Sequence, residues 1–477
     1  MHVARENEGC GALRRCSGLA LFCGCAVVLF AYGAGAQSLS TNGMSSTDAS
    51  ALRKALDAYD QGRAADAEPA LLDLTARYPT SFEASEALGG LFAESGEMDR
   101  ALPLLKRAAG LAPRQAVSHA NLGAAYLKLG KNSDAVKELQ LAAKLEPKNA
   151  ATQSNLGQAL MVAGQPGAAA RCFALAAELE PAQWDVVYNW ALALAESNAP
   201  READLALAKI PSEAMTAQAQ SLAGDVDEKL GKYKEAIGHY QAATQADPSD
   251  GNLYTLTAEL LRHWTWEEAI QIASYGASKY PEAVHFKVAI GIAQYGSSKY
   301  PAAAATFAEL LAKEPESGFY ADLLGRSCGS IADEVNTDCN GLEAFARRHP
   351  ENARASTYAA ASILKRPAAE QDTGKAEDLL QQAIRSDPKL TEAYYQLGVL
   401  AQQRSQWKES AAVLEKAVAL RPAYPEAHYR LARAYAHMGL REEAQKQTAL
   451  QQQYSLKEKD NLDARMQEVV TFLLKPS

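Results

Sequence analysis

Cysteine, aromatic residues and positive charge are all in short supply in this chain of 477 residues. Seven cysteines are too few for a scaffold held together by disulfides. Lys and Arg number 48 against 57 Asp and Glu, and the net charge of −9 argues against general binding to nucleic-acid phosphates. With 31 Gly, 19 Pro and 48% hydrophobic residues, the composition is that of a folded chain with a core rather than a low-complexity one.

Catalytic and metal-binding motifs are missing as well. The sequence contains no His-Glu-x-x-His helix, no Gly-x-Ser-x-Gly elbow, no phosphate loop and no Cys-x-x-Cys pair. We therefore predict no catalytic residue, no metal site and no cofactor, so that the chain is not an enzyme. The alternative is an unrecognised active site around His263 or in the irregular segment 328–345.

The first residues have the pattern of an export signal. A basic pair at 14–15 precedes an apolar stretch over 19–32, and a small-residue box ends at Ala36. The apolar stretch has 14 residues, whereas a membrane-spanning helix needs ~20. We expect residues 1–36 to be removed and the mature protein to be periplasmic or secreted, without a transmembrane span. The alternative is an uncleaved N-terminal anchor.

The dominant feature of the sequence is a repeat. Pro79, Pro113, Pro147 and Pro181 lie 34 residues apart, and a later series from Pro248 to Pro422 has intervals of 33 to 38. After each of the first three, Leu-Gly ends at the tenth residue, a large apolar residue stands at the thirteenth and a glycine at the seventeenth. These spacings predict two amphipathic helices per unit with a glycine turn between them. Since one hairpin cannot bury its apolar face alone, the hairpins should stack.

This pattern resembles the tetratricopeptide repeat family over nearly all of residues 48–454. The resemblance implies an all-α fold, a right-handed superhelical solenoid of about twelve helix-turn-helix hairpins. In that family the first helix of each hairpin lines a concave groove that binds extended peptides. The expected organisation is a flexible linker at 37–47, an N-terminal array at 48–325, irregular repeats or a hinge at 326–375, C-terminal units at 376–456 and a capping helix with a tail at 457–477.

Asparagine recurs at one position of the first helices. Asn121, Asn155 and Asn189 each follow a repeat proline by eight residues, which places them in a row on successive helices. An amide both donates and accepts, so it can pair with any peptide bond. The row resembles the asparagine ladder of the O-linked N-acetylglucosamine transferase family, whose glycosyltransferase domain has no counterpart here. The alternative is solvated or locally bonded asparagine.

Three neighbouring residues complete the predicted groove. Tyr188 and Gln158 suit contact with a peptide, and Lys128 adds one positive charge. A single lysine is too little for the basic clamp of the chaperone-binding branch of the family, so we exclude that specialisation.

The last two hairpins predict a second binding patch. Their first helices interleave arginine with tyrosine, which suits anionic or aromatic partners. The candidate residues are Tyr395, Gln396, Tyr429, Arg430, Arg433 and His437. The alternative is arginine paired with acids on neighbouring helices, or tyrosine packed between units.

Three cysteines remain after the leader. Cys328 and Cys339 are candidates for a disulfide in an oxidising compartment. The alternative is three isolated cysteines, with Cys172 packed as a small apolar residue.

These observations favour a non-catalytic scaffold that binds an extended peptide or a protein segment in its concave groove, with no nucleic-acid partner. The first alternative is a factor in envelope assembly, for instance of outer-membrane, pilus or secretion machinery. Carbohydrate binding is a weaker alternative, since aromatic and amide groups also suit sugars.

Overall fold

The computed structural model describes residues 43–331, 337–366 and 372–460. Within these ranges the chain forms 24 α-helices and no strand. It divides into two compact units, one ending at Ala243 and the other beginning at Thr244. None of the described helices combines the length and the apolar character that a membrane span requires.

The N-terminal unit consists of six hairpins, in which odd-numbered helices are first helices and even-numbered helices are second helices. Its helices are α1 (Ser46–Asp60), α2 (Ala64–Arg77), α3 (Phe82–Glu94), α4 (Met98–Leu111), α5 (Ala116–Lys128), α6 (Asn132–Leu145), α7 (Ala150–Val162), α8 (Pro166–Leu179), α9 (Trp184–Glu196), α10 (Pro200–Leu207), α11 (Ala217–Lys229) and α12 (Tyr233–Ala246). The boundary between the units falls in the last turn of α12.

The C-terminal unit contributes another six hairpins. Its helices are α13 (Asp250–Arg262), α14 (Trp266–Lys279), α15 (Val284–Gly296), α16 (Tyr300–Lys313), α17 (Gly318–Ser330), α18 (Gly341–Arg348), α19 (Ala353–Leu364), α20 (Thr373–Ser386), α21 (Thr391–Gln403), α22 (Trp407–Leu420), α23 (Pro425–His437) and α24 (Arg441–Asp460). The predicted all-α repeat solenoid is confirmed.

In six hairpins a glycine of the first helix packs directly against a large side chain of the second helix. In the fourth hairpin, Gly157 of α7 lies against the Phe173 ring of α8, and a Cβ added to the glycine would lie 2.8 Å from a ring carbon. The same contact, with Cβ distances between 2.5 and 2.9 Å, joins Gly89 to Leu105, Gly123 to Leu139, Gly224 to Tyr240, Gly291 to Phe307 and Gly398 to Leu414. Because real Cβ atoms do not approach this closely, the helices can pack at this distance only over glycine.

The turn between the two helices has the same backbone geometry in many of the hairpins. Its residue has a left-handed φ of 68° at Gly130 and 72° at Gly164. Where the repeat has no glycine there, other residues adopt the same conformation, namely Asn198, Trp264, Ser298 and Ser405, with φ between 59° and 63°. The hairpin geometry therefore dictates the left-handed turn even where the residue is strained by it.

A side chain near the start of the first helix ties the helix to the loop before it. In four repeats the sixth residue after the proline bonds to the proline carbonyl oxygen. The four pairs are His119 Nε2 with Pro113 at 3.2 Å, Gln153 Nε2 with Pro147 at 2.9 Å, Tyr394 Oη with Pro388 at 3.1 Å and His428 Nε2 with Pro422 at 2.7 Å. Imidazole, amide and phenol groups thus make the same hydrogen bond, to a loop carbonyl oxygen that has no partner within a helix.

Two places depart from the regular hairpin. Helix α10 has 8 residues where the other second helices of the N-terminal unit have 14. In the C-terminal unit, Cys328 at the end of α17 and Cys339 form a disulfide with Cα atoms 6.0 Å apart. Cys172, in α8 of the N-terminal unit, is a free, half-buried thiol. Both departures fall where the sequence loses the repeat register.

Several predicted segments lie wholly or partly outside the described residues. The leader, the linker up to residue 42 and the capping segment after residue 460 are outside. Helix α1 begins at Ser46 after a cap in which the Asp48 N–H donates to Ser45 Oγ at 3.1 Å. The last residues of the predicted linker therefore belong to the first helix.

We predict that Gly157→Ala destabilises the protein. Its Cβ would overlap the buried Phe173 ring, at a cost of about 1–3 kcal/mol that outweighs the better helix propensity of alanine. The matched control is Gly110→Ala in α4, where nothing lies within 4 Å of the added Cβ. The control should stabilise by about 0.5–1 kcal/mol.

Urea unfolding followed by circular dichroism measures both shifts. The account requires midpoints that move in opposite directions. A Gly157→Ala midpoint raised as much as that of the control would show that the glycine contact does not limit helix approach.

Candidate functional site

All the predicted binding residues fall at four positions of the repeat. These positions are 7, 8, 11 and 15 residues after the repeat proline, and helical spacing puts them on one side of the first helix. We call this side the first-helix face. Its members are Tyr188, Tyr395 and Tyr429 at the first position, Asn121, Asn155, Asn189, Gln396 and Arg430 at the second, Gln158 and Arg433 at the third, and Lys128 and His437 at the fourth.

In the N-terminal unit the asparagine row is buried. The exposed fractions of Asn121, Asn155 and Asn189 are 1%, 0% and 2%. Gln158 is also buried, and Tyr188 is half-buried. The Asn121 amide donates to Glu86 Oε1 of the preceding hairpin at 2.7 Å. The row is therefore part of the interior in this conformation, and its pairing with a peptide stays a prediction.

Lys128 has a contact that the sequence analysis missed. Its Nζ donates to the carbonyl oxygen of Ala93, at the end of the preceding first helix, at 3.2 Å. Lys229 makes the equivalent bond to Ala195 at 3.1 Å in the same unit. The last carbonyls of a helix lack intrahelical partners, and a lysine side chain can satisfy them. The fourth position therefore links consecutive hairpins, and the exposed Lys128 contributes to stability whether or not it meets a ligand.

Glu86 is the buried carboxyl beneath this row. Its side chain is 2% exposed, and its Oε2 has no hydrogen-bond partner among the described residues. Burial raises the pKa of Glu86 from its usual 4.5 to about 7, and the bond from Asn121 opposes this shift only in part. The carboxyl is therefore held partly protonated near neutral pH.

On α23, the last first helix of the C-terminal unit, the first-helix face is open to solvent. Tyr429 is 57% exposed, and Arg433 and His437 are exposed as well. The His437 ring stacks on the Trp407 ring, with centroids 3.7 Å apart and planes within 6°. The Arg433 guanidinium carbon lies 5.8 Å from the centroid of the same indole. Trp407 therefore belongs to the patch, although sequence reasoning did not include it because it begins a second helix.

The arginines of this patch are not neutralised. Within the described part of the chain, no carboxylate oxygen lies within ion-pair distance of Arg430 or Arg433. The contacts of Arg430 are with Gln402, whose Nε2 donates to the Arg430 carbonyl oxygen at 2.7 Å. Arg430 and Arg433 therefore do not follow the alternative of arginine paired with acids on neighbouring helices.

Tyr395 and Gln396 sit deeper than the rest of the patch. Both are half-buried, and the Tyr395 ring packs against the Tyr424 ring with centroids 5.1 Å apart. The structure thus brings Tyr429, Arg433, His437 and Trp407 together at the surface. Tyr395 instead packs between hairpins, which is the alternative stated for the tyrosines of this patch.

Three segments of the chain match known families. They match Tetratricopeptide repeat over residues 52–116 and again over 92–159, and TPR repeat over residues 402–439. No curated protein matches the sequence.

Solved structures with a similar fold were also found. One, titled "Structure of Naa15/Naa10 bound to HypK-THB", is 14% identical, with 85% of this chain and 68% of that chain covered and a TM-score of 0.37. Another, titled "Crystal structure of YrrB: a TPR protein with an unusual peptide-binding site", is 19% identical, with 38% and 93% covered and a TM-score of 0.36. Pseudomonas aeruginosa pilF is 18% identical, with 44% and 97% covered and a TM-score of 0.39.

We predict that Glu86→Gln removes a pH-dependent loss of stability. The folded-state pKa of Glu86, about 7, lies above its unfolded value of 4.5. Its contribution to stability is therefore complete below pH 4.5 and is lost as the pH rises through 7, a change of roughly 3 kcal/mol. Glutamine resembles the protonated acid and can still accept from Asn121.

Unfolding free energies of the variant and the wild type between pH 4.5 and 8.5 test this. The difference between them should grow with pH in favour of the variant and level off above pH 7. Glu146→Gln, at an exposed position, serves as the control with no such growth. A constant difference for Glu86→Gln would mean that the carboxyl ionises normally in the folded protein.

Proposed function

We propose that this chain, a protein built from tetratricopeptide repeats, is a protein-interaction scaffold that binds an extended peptide segment along its first-helix face. The observation that carries the proposal is a surface group in the C-terminal unit, in which Tyr429, Arg433 and His437 are exposed and Trp407 is half-buried. Exposed aromatic rings beside a guanidinium are typical of residues that contribute most to binding at protein interfaces.

The charge of this group indicates the kind of peptide. The chain as a whole is acidic, with a net charge of −9, yet Arg430 and Arg433 stand on one face without an acidic partner in the described residues. A carboxylate from a peptide would form the charge-assisted bonds that the protein does not supply itself. Tyr429 and Trp407 offer surfaces on which an aromatic side chain can stack. The expected ligand is an acidic peptide with aromatic residues.

The N-terminal unit would bind through different chemistry. Asn155 and Gln158 offer amides, which pair with a peptide backbone whatever its side chains are. Since the row is buried, a peptide could engage Asn121 only if the amide exchanges its bond to Glu86 for one to the ligand. This part of the proposal rests on the repeated position of the asparagines and on their hydrogen-bonding capacity.

We also propose that the mature protein works outside the cytoplasm. The leader pattern supports this, and so does the disulfide between Cys328 and Cys339, because disulfides persist mainly in oxidising compartments. The envelope-assembly alternative would use the same first-helix face and differs only in its partner.

We predict that the double substitution Arg430→Ala, Arg433→Ala weakens peptide binding about tenfold. Linear peptides would first be selected on the wild-type chain from a random phage-displayed library, and dissociation constants would then be measured by fluorescence anisotropy. The selected peptides should contain Asp or Glu next to an aromatic residue. The control, Arg441→Ala with Lys446→Ala, removes the same charge from second helix α24 and should change affinity less than twofold.

Equal loss in both double variants would indicate a general charge effect and would contradict a specific site. Selected peptides without acidic residues, bound equally well by all variants, would contradict the patch itself. Circular dichroism of each variant checks that the helices are unchanged.

A further inference from the structure

A cleft of about 770 Å³ opens in the N-terminal unit, away from the first-helix face. One wall is second helix α8 with Ala174 and Leu175, and the other is first helix α9 with Trp184, Val187 and Trp190. Its volume lies within the range of small-molecule binding sites, about 300–1,000 Å³.

The cleft exists because helix α10 stops early. Each other second helix of this unit has 14 residues, and α10 has 8. Six missing residues shorten the helix by about 9 Å. The chain instead leaves Leu207 through Lys209 and turns at Pro211 into a short 3-10 turn at Ser212–Ala214. The first half of α9 and the second half of α8 therefore lack the cover that a full-length partner would provide.

The lining of the cleft combines aromatic surface with positive charge. The indoles of Trp184 and Trp190 are half-buried, and the Lys209 ammonium lies 4.7 Å from the centroid of the Trp190 ring. Arg171 stands at the opposite wall, where its guanidinium donates to the Gly167 carbonyl oxygen at 3.1 Å and keeps its other donors available.

The charges of the lining favour an anion with a single charge. Arg171 and Lys209 are positive, and Glu178 is the negative residue of the same lining, so that one positive charge remains. A carboxylate balances this charge, whereas a dianionic phosphate would add repulsion from Glu178. The Leu175 side chain and the two tryptophan rings line the rest of the cleft and offer apolar surface to the uncharged part of such a ligand.

We propose that this cleft binds a small aromatic monocarboxylate, with its carboxylate between Arg171 and Lys209 and its ring against Trp184 and Trp190. The site is separate from the peptide-binding face and does not depend on the function proposed above. It gives the scaffold a second kind of ligand, and the truncated α10 is the structural reason for it.

Isothermal titration of the full chain tests this with three probes. Phenylbutyrate has both the ring and the carboxylate, phenylbutanol keeps the ring without the charge, and octanoate keeps the charge without the ring. Phenylbutyrate should bind at least about fivefold more tightly than either comparator, because it alone makes both contacts. Its binding should also change the tryptophan fluorescence.

Two substitutions locate the binding. Lys209→Ala should weaken phenylbutyrate about fivefold and leave the affinity for phenylbutanol unchanged, since only the charged probes use the ammonium. Ala174→Phe should abolish binding of all three probes by filling the cleft. Lys137→Ala, a substitution of an exposed lysine on α6, is the control and should have no effect. Circular dichroism melts confirm that each variant is folded.

The possible results separate clearly. Phenylbutyrate binding that is lost in Ala174→Phe and weakened in Lys209→Ala supports the proposal. Octanoate bound as tightly as phenylbutyrate overturns the aromatic preference, and with it the stated ligand class. No detectable phenylbutyrate binding to the wild type, or binding unchanged in Ala174→Phe, overturns the site.

Discussion

The structure depends on the close approach of two helices over a glycine. In six hairpins a first-helix glycine faces a large side chain sixteen residues later, at distances that leave no room for a Cβ. This contact sets the separation of the helices and the geometry of the hairpin. The left-handed turn between the helices recurs in hairpins with this contact, as at Gly164, and in one without it, at Trp264. Stacking of identical hairpins then places equivalent first-helix positions in register.

A regular frame allows the chemistry of one face to change without a change of fold. The position eight residues after the proline is asparagine in three hairpins of the N-terminal unit, and in the last two hairpins of the C-terminal unit it is Gln396 and then Arg430. The three asparagines are buried, and Asn121 donates to Glu86. Arg430 instead carries a positive charge next to the exposed Tyr429. The same backbone thus presents buried amides in one set of hairpins and an arginine beside an exposed tyrosine in another, and the short helix α10 leaves a cleft between α8 and α9.

Much of this could be predicted from the sequence. The proline spacing and the recurring glycine and large apolar residues predict the hairpins, because each is a local requirement of helix packing. Contacts between hairpins were not predictable in the same way. The bond from Lys128 to Ala93, the pairing of Asn121 with Glu86 and the stack of His437 on Trp407 join residues 30 to 35 positions apart, whose distances depend on the stacking itself. The cleft beside the short helix α10 was not predicted either, because it depends on how three helices pack.

The central claim is that peptides bind to the first-helix face, and photocrosslinking tests it most directly. A benzoylphenylalanine would replace Tyr429 on first helix α23, and in a second variant it would replace Tyr275 on second helix α14. Both tyrosines are comparably exposed, at 57% and 52%, so exposure alone cannot explain a difference. The account predicts that a selected acidic peptide crosslinks at position 429 and not at position 275. Crosslinking at 275 with none at 429 would contradict it.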